Sequence, residues 1–396
     1  MTNRNPHQWL IYGAYGYTGR LVAEEALRRG HRPVLAGRGG QELQAMADRM
    51  GLEFKTLSLD DPQALKAALR SMGLIFNAAG PFAQTGPKII EACLETGTPY
   101  ADISGEFHHM RAVEALDARA RMARIPILTG AGFGVTFGDS VARHVVDRLP
   151  DATHLRVSVA ADNAVTTAAV RRTILEVLAQ GGYAVEGGQW KRRPLAHRHW
   201  MVPDGASPLS FAAAPMGELA AVRRSTGVAN IVVGRPMPAK SAQRLRLISP
   251  LIQAVLGVGP LRRALGRDKG TPSVPAPTPQ GGWRSRIWAE AWNDRGHRAM
   301  ARLETGEGYA ATAAAAVANV EDLFARPPVG VVTPAQAFGA AHVLTIPGVE
   351  VTDLDPQSGL PLEASRPVLR HNNSDTVVAT PTRHGGRACR AELPGT

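Results

Sequence analysis

The feature that most constrains this chain is an apolar run that ends in three glycines spaced three residues apart. Residues 9–12 (Trp-Leu-Ile-Tyr) precede Gly13, Gly16 and Gly19, after which apolar residues recur at helical spacing until Gly30. The pattern predicts a strand, a tight turn and a helix N-terminus, which together bind the pyrophosphate of a dinucleotide. Because glycine has no Cβ, the chain can turn at Gly13, phosphates can approach Gly16, and the helix can lie close to the sheet at Gly19. We expect further cofactor contacts from the intervening residues Tyr15, Tyr17 and Thr18.

Length and composition indicate a globular protein of two domains plus extensions. The chain has 396 residues, of which 44% are hydrophobic and 20% charged, and such a length exceeds one ordinary core. It has no uncharged apolar window of about 18 to 20 residues and no hydrophobic signal core before the first strand, so we expect a cytoplasmic protein without a membrane span. Cys93 and Cys389 lie far apart without metal-ligand spacing, which predicts neither a disulfide framework nor a metal site.

The charge of the chain is strongly basic but dispersed. The formal net charge is +11, and the arginines are scattered rather than concentrated in one patch, which argues against a nucleic-acid partner. A basic surface also suits a phosphorylated cofactor, a small-molecule substrate, a coenzyme A thioester or an acidic carrier protein. Charge alone does not choose among these ligands.

The end of the second predicted strand indicates which dinucleotide binds. NAD-selective sites place Asp or Glu about twenty residues after the glycines, where it binds the ribose hydroxyls. This chain has Gly37 followed by Arg38. A guanidinium at that point can bind the 2′-phosphate of NADP and stack on adenine. The alternative is a solvated arginine that opens the next helix.

Polar and small residues follow the next four predicted strands. Asp60 ends the third strand, where it could bind the adenine amino group or cap the following helix. The fourth strand ends in residues 77–82 (Asn-Ala-Ala-Gly-Pro-Phe), the fifth carries Asp102, Ser104 and Glu106, and the sixth leads into Gly132 and Phe133. The carboxyl ends of parallel strands border the ribose and nicotinamide crevice. We therefore predict cofactor contacts from Asp60, Asn77, Ala79, Gly80, Pro81, Phe82, Asp102 and Ser104, and substrate contacts from Glu106, Gly132 and Phe133.

Strand and helix alternate six times within the first 150 residues or so, which predicts an α/β fold with a doubly wound, parallel Rossmann sheet over residues 1–150. Residues 151–350 read as an α+β domain with an antiparallel sheet, which binds substrate or forms a dimer interface. Within it we expect a strand at about 220–224, a hairpin over 286–304 and a helix over 309–326 that packs back on the first domain.

Three further segments call for their own interpretation. Residues 241–265 form an amphipathic pattern flanked by arginines, which fits a helix that lies on a membrane surface, a lid over a lipid-like chain, or a plain packing helix. Residues 266–282 contain four prolines and predict a mobile loop. Residues 355–396 are polar and lack periodicity, which predicts a disordered tail.

Taken together, the motifs of the first half resemble the saccharopine dehydrogenase-like family of NADP-binding oxidoreductases. The matching stretches are residues 13–19, 37–38, 77–82, 100–106 and 130–133, and the similarity extends through residues 214–218 to about residue 350. The layout is most similar to a bacterial branch of trans-acting enoyl reductases, which reduce a double bond on a thioester-bound intermediate. That branch often has Gly-Phe-Asp where this chain has Gly132-Phe133-Gly134, so a carboxylate is absent from the loop.

The resemblance implies NADP(H) as cofactor and, as the favoured reaction, reduction of an activated C=C bond in a polyketide-derived or lipid-like intermediate. Such a reaction needs a proton donor, for which Tyr100, Ser104, Glu106, His108 and His109 are the candidates. Two alternatives remain open. One is C=N oxidoreduction of an amino-acid-derived substrate, and the other is an NADP-binding sensor or scaffold without turnover.

Overall fold

The computed structural model describes residues 5–161, 174–175, 177–204, 207–256 and 284–362. The predicted Pro-rich loop at 266–282 lies outside the described residues. So do residues 257–265 of the amphipathic segment and residues 363–396 of the predicted tail.

The first half forms the alternating pattern that the sequence predicts. Its strands are β1 (Asn5–Tyr12), β2 (Val34–Gly37), β3 (Phe54–Thr56), β4 (Met72–Asn77), β5 (Tyr100–Asp102) and β6 (Pro126–Leu128). Its helices are α1 (Tyr17–Arg28), α2 (Gly40–Met50), α3 (Pro62–Leu69), α4 (Phe82–Thr96), α5 (Phe107–Glu114), α6 (Asp117–Ala123) and α7 (Phe133–Arg148). The third strand ends before Asp60, which the sequence analysis places at its end, because only residues 54–56 pair with β2.

These strands form one parallel sheet in the order β15-β6-β5-β4-β1-β2-β3, where β15 (Gly330–Val332) comes from much later in the chain. Apolar residues of α1 and α2 cover one face, and those of α3, α4 and α6 cover the other. The inner strands are therefore buried on both faces, as is usual in a parallel sheet, whereas the edge strand β3 is largely exposed. The doubly wound Rossmann fold is confirmed, with a topological switch point between β1 and β4.

The second sheet lies beyond α7. Its strands are β7 (His154–Ala160), β8 (Gly182–Glu186), β9 (Gln189–Arg193), β10 (His199–Val202), β11 (Leu209–Ala213), β12 (Asn230–Pro236), β13 (Ser285–Trp292), β14 (Arg298–Thr305) and β16 (Glu350–Leu354). The predicted hairpin is the β13–β14 pair. Among the described strands, β7 pairs with β12 in parallel and the other neighbours are antiparallel, so the sheet is mixed.

The strand predicted at residues 220–224 is wrong. These residues lie in helix α8 (Gly217–Thr226), in which Leu219, Ala220, Ala221 and Val222 are all buried. A helix that is covered on most sides shows an unbroken apolar run, which cannot be told from a buried strand by periodicity.

The chain returns to the first domain through α10 (Gly308–Ala325). One side of α10 packs in the core with β1 and α1, whereas Ala311, Ala315 and Ala318 join the core under the second sheet. Arg29, the C-cap residue of α1, contacts Glu321 at 2.9 Å. The small alanine side chains let one helix pack closely on both sides. After α10 come β15, the short helix α11 (Pro334–Phe338) and a 3-10 turn (Ala340–Thr345) before β16.

Two peripheral elements bear on the predictions above. Helix α9 (Ala239–Leu256) leaves Leu247, Ile248, Leu251 and Val255 exposed. Residues 355–362, which the sequence analysis places in the tail, form a turn in which Asp355 accepts a hydrogen bond from Ser358 N at 2.7 Å. No helix in the ranges given above has the length and apolar character needed to cross a bilayer.

Candidate functional site

The loop between β1 and α1 closes tightly around its glycines. Gly13 has φ +81°, and its N–H donates to Ala36 O at 2.8 Å. A Cβ at Gly13 would lie 2.7 Å from the Cβ of Ala79, and a Cβ at Gly19 would lie 2.3 Å from Gly13 O. Larger residues at either position would force the loop away from the sheet, so both glycines are needed for the geometry.

The N-terminus of α1 is open to a ligand. Gly16 is the N-cap, and no side chain caps the first turn, which contains Tyr17, Thr18 and Gly19. Free N–H groups and the helix dipole favour an anion there, so this turn fits a dinucleotide pyrophosphate. The Tyr17 ring meets Tyr309 of α10 edge-on, with 4.8 Å between centroids. The Tyr15 ring lies against Gly37, whose Cβ would be 2.5 Å from it.

Arg38 directly follows β2, whereas Asp60 lies in the loop between β3 and α3. Arg38 is exposed, and within the described part of the chain it makes no ion pair. Asp60 pairs with Lys88 Nζ at 2.5 Å, and this hydrogen bond with Lys88 lowers the pKa of its carboxyl. The helix cap proposed as an alternative for Asp60 belongs to Asp61, which accepts from Gln63 N and Ala64 N. The cofactor contacts of Arg38 and Asp60 stay predictions.

The buried side chain of Asn77 holds the small-residue turn after β4 through hydrogen bonds. Its buried amide accepts from Ala79 N at 3.0 Å and donates to Thr85 Oγ1 at 3.1 Å and to Tyr100 Oη at 3.2 Å. The peptide bond between Gly80 and Pro81 is cis. Asn77 therefore holds the turn from its buried side, while Gly80 is exposed.

Asp102 is the centre of a fully buried network. Its carboxylate accepts from Tyr100 Oη at 2.8 Å, from Ser104 N at 2.9 Å and from Gly130 N at 3.0 Å, and it lies 2.9 Å from His109 Nε2. Burial and the nearby charge of Asp102 raise the pKa of Tyr100 well above its usual value. Burial alone would lower the pKa of His109, but the hydrogen bond and charge of Asp102 outweigh it and raise that pKa.

This network corrects two predicted roles. Tyr100 has no exposed surface, and its hydroxyl is held by Asn77 and Asp102, so it does not reach a substrate. Asp102 is equally buried, and its carboxylate fixes the loops after β5 and β6 by accepting hydrogen bonds from Ser104 N and Gly130 N. The physical reason is that buried polar groups must find partners, and here those partners are in the protein.

Glu106 has a structural partner that the sequence does not indicate. Its two carboxylate oxygens accept from Phe82 N and Ala83 N, both at 2.9 Å, and so cap the N-terminus of α4. Ser104 Oγ in turn accepts from Glu106 N at 3.0 Å. The prediction that Glu106 contacts substrate or donates a proton is therefore not supported. His108 lies among Phe107 and Tyr183, away from the loop ends.

A cavity of about 260 Å³ opens between the two sheets, where the loops after β5 and β6 meet α8 and α10. The predicted residues Ser104, Gly132 and Phe133 line it, whereas Tyr100 and Glu106 do not. Most of the lining is glycine or apolar, as is usual for a small-molecule site. Predicted substrate contacts from Gly132 and Phe133 remain consistent with this placement and stay predictions.

Sequence analysis missed two charged residues of this cavity. Glu218, the second residue of α8, and Arg235 of β12 both line it, and Arg235 Nη2 donates to Glu218 Oε1 at 2.6 Å. Glu218 belongs to a stretch that carries the family resemblance, but no local pattern links it to Arg235. The sequence signal that could have indicated Glu218 is that this acidic residue follows a glycine, Gly217, at the start of a helix.

Comparison with known proteins supports the first half most directly. Residues 9–128 match the family described as saccharopine dehydrogenase NADP binding domain. A Mycobacterium tuberculosis relative, whose name proposes it as a trans-acting enoyl reductase, is 35% identical over 109 residues, which cover 26% of each chain. A Bos taurus relative named saccharopine dehydrogenase-like oxidoreductase is 31% identical over 124 residues, which cover 26% of this chain and 29% of that protein. The chain thus matches only about a quarter of the length of these relatives.

The fold as a whole also has a solved counterpart. Saccharopine dehydrogenase (L-Glu forming) from Saccharomyces cerevisiae, in its apo form, superposes with a TM-score of 0.58 over 88% of this chain and 100% of that one, at 12% identity. At such low identity the likeness concerns the fold alone. The glycine loop and the match over residues 9–128 identify the first half of the chain as a saccharopine dehydrogenase NADP binding domain.

Proposed function

We propose that the protein uses NADPH to reduce an activated C=C bond in a thioester-linked intermediate. The observation that carries the proposal is the cavity at the carboxyl ends of β5 and β6, whose lining is glycine-rich and apolar apart from a few polar groups. Its volume of about 260 Å³ is slightly below that of usual ligand pockets, so it fits the reacting end of a chain rather than a whole coenzyme A.

The residues around the crevice fit NADP(H). The first turn of α1 would hold the pyrophosphate, and the exposed guanidinium of Arg38 would bind the 2′-phosphate. When bound, the cofactor supplies the hydride. The residues of the chain would position the nicotinamide ring next to the cavity and exclude water from it. They would also bind the substrate carbonyl oxygen, which becomes negative when hydride adds to the double bond.

The main alternative is C=N oxidoreduction of an amino-acid-derived substrate. Glu218 and Arg235 offer opposite charges, which could bind the ammonium and carboxylate of an amino acid. However, the two side chains already neutralise each other at 2.6 Å, which favours a neutral substrate group. An NADP-binding sensor without turnover would need no such cavity beside the crevice.

The same proposal extends to location and partners. A coenzyme A-bound or carrier-protein-bound substrate suits the basic surface, and the exposed apolar residues of α9 suit contact with a lipid-like chain or a membrane surface. A cytoplasmic location and a homodimer, both expected from the sequence, fit this function and stay predictions.

The test is an assay of NADPH consumption by the purified protein. We expect oxidation of NADPH when crotonyl-coenzyme A is added, and none with butyryl-coenzyme A, which lacks the double bond. Turnover of saccharopine with NADP⁺ instead would favour C=N chemistry. Failure to bind NADPH, measured by its fluorescence, would overturn both oxidoreductase hypotheses.

A further inference from the structure

Glu218 and Arg235 form an ion pair in the wall of the cavity, and each residue keeps a buried polar atom that has no hydrogen-bond partner among the described residues. Glu218 is 1% exposed, and its Oε1 accepts from Arg235 Nη2 at 2.6 Å. Oε2 of Glu218 and Nη1 of Arg235 are buried and have no hydrogen-bond partner among the described residues. Both residues line the cavity. A buried donor and acceptor without partners cost free energy, so the site is built to receive one polar group or two.

The surrounding backbone makes room for this pair and fixes it. A Cβ at Gly134 would lie 2.2 Å from Glu218 Oε1, and a Cβ at Gly138 would lie 3.1 Å from Glu218 Cγ. The two glycines of α7 therefore allow the Glu218 side chain to lie against the helix. Next to Glu218, Gly217 N donates to Gly105 O at 2.9 Å, which ties the start of α8 to the loop after β5. The ion pair is thus held beside the loop after β5, whose residue Gly105 also lines the cavity.

Charge decides which substrate group fits. Glu218 neutralises Arg235, so the pair does not attract a carboxylate as a lone arginine would. Nη1 remains a strong donor for an uncharged carbonyl oxygen, and its bond strengthens as that oxygen becomes negative. A donor of this kind serves a thioester carbonyl conjugated to a double bond.

We propose that Arg235 is a catalytic residue that binds the carbonyl oxygen of the substrate through Nη1, and that Glu218 is the positioning residue that holds its guanidinium. This inference rests on the proposed function. As hydride adds to the β-carbon, the C=C electron pair shifts to form an enolate, whose oxygen is stabilised by Arg235. The carbonyl then re-forms as the α-carbon takes a proton from a water molecule that donates a hydrogen bond to Glu218 Oε2, and the hydroxide that remains takes a proton from the solvent. In sum, one C=C π bond is lost and two C–H bonds form, one with the hydride of NADPH and one with a solvent proton.

The first test measures binding without turnover. Hexanoyl-coenzyme A and its thioether analogue S-hexyl-coenzyme A differ in the carbonyl, and both are titrated into NADP⁺-loaded protein. We expect the wild type to bind the thioester about tenfold more tightly, as for one charge-assisted hydrogen bond. Arg235→Met should lose this preference and keep the thioether affinity. Arg235→Lys should recover part of it, and the exposed Arg70→Met is the matched control.

The second test separates kcat from KM with crotonyl-coenzyme A. Arg235→Met and Glu218→Gln should lower kcat by tenfold or more, roughly, with an unchanged Kd for NADPH. An Arg235→Met protein that keeps the carbonyl preference or the wild-type kcat overturns the inference while the proposed function stands. If the wild type binds NADPH but neither binds hexanoyl-coenzyme A nor reduces crotonyl-coenzyme A, the proposed function and this inference both fall.

Discussion

The Glu106 carboxylate accepts a hydrogen bond from the Phe82 backbone N–H at 2.9 Å, although the two residues are 24 positions apart. Its second oxygen accepts from Ala83 N. Within the described residues no side chain of α4 itself caps this helix, so Glu106 supplies the cap from the loop after β5. The contact joins the turn after β4 to that loop, and both border the predicted nicotinamide crevice.

Replacing Glu106 by Ala should therefore affect stability more than chemistry. Loss of a helix cap lowers the free energy of unfolding by about 1 to 2 kcal/mol, which urea denaturation measures. Glu53→Ala, at an exposed position, should change it by less than about 0.5 kcal/mol. A loss of kcat of about 100-fold or more at unchanged stability would instead identify Glu106 as a proton donor.

Arg38 should set the cofactor preference. In Arg38→Ala the 2′-phosphate loses a charge-assisted hydrogen bond, so the Kd for NADPH should rise by at least about tenfold. The Kd for NADH should change little, because NADH lacks this phosphate. Fluorescence titration measures both values, with Arg49→Ala at the far end of α2 as the control. An equal loss for both cofactors would contradict the assignment.

His109 should make stability depend on pH. Its pKa is raised above the ordinary 6.5, because the hydrogen bond and charge of Asp102 outweigh the burial that opposes them. The protonated form is thus favoured by folding, and this stabilisation is complete below about pH 6.5 and is lost as pH rises through the raised pKa.

His109→Gln isolates that effect, since the amide can still donate to Asp102 but cannot titrate. The unfolding free energies of wild type and variant should differ more at about pH 6 than at about pH 9. A difference that stays constant across pH would mean that folding does not raise the pKa of His109.

The apolar side of α9 should bind lipid surfaces. Leu247 is 74% exposed and Leu251 is 67% exposed, with Arg244 and Arg246 on the same helix. The double variant Leu247→Glu, Leu251→Glu should bind vesicles of phosphatidylcholine and phosphatidylglycerol at least about tenfold more weakly, because two leucines no longer enter the bilayer. Sedimentation with vesicles measures the bound fraction.

Met122→Glu is the matched control for that experiment, since Met122 is 85% exposed on α6, away from α9. Its vesicle binding should equal that of the wild type. Equal binding by the α9 double variant would show that this face is not a membrane contact.

The sequence by itself determined the Rossmann half and its phosphate loop. Both depend on local signals: strand and helix periodicities that alternate within short distances, and glycines whose missing Cβ atoms allow the turn at Gly13 and the close approach at Gly19. The position of Arg38 is equally predictable, because it follows the second strand about twenty residues after those glycines. The helix over residues 309–326 is equally local, and its alanines indicate close packing.

Tertiary structure alone decided what the polar residues do. Asp102, Glu106 and Tyr100 all follow or lie on β5, which is why the sequence groups them as site residues, but their partners His109, Phe82 and Asn77 meet them only in the folded sheet. The run at 220–224 became a helix because α8 is buried on most sides. Glu218 and Arg235 lie on a helix and a strand with no shared pattern. A hydrogen-bond partner is chosen by distance in space, and periodicity along the chain carries no information about it.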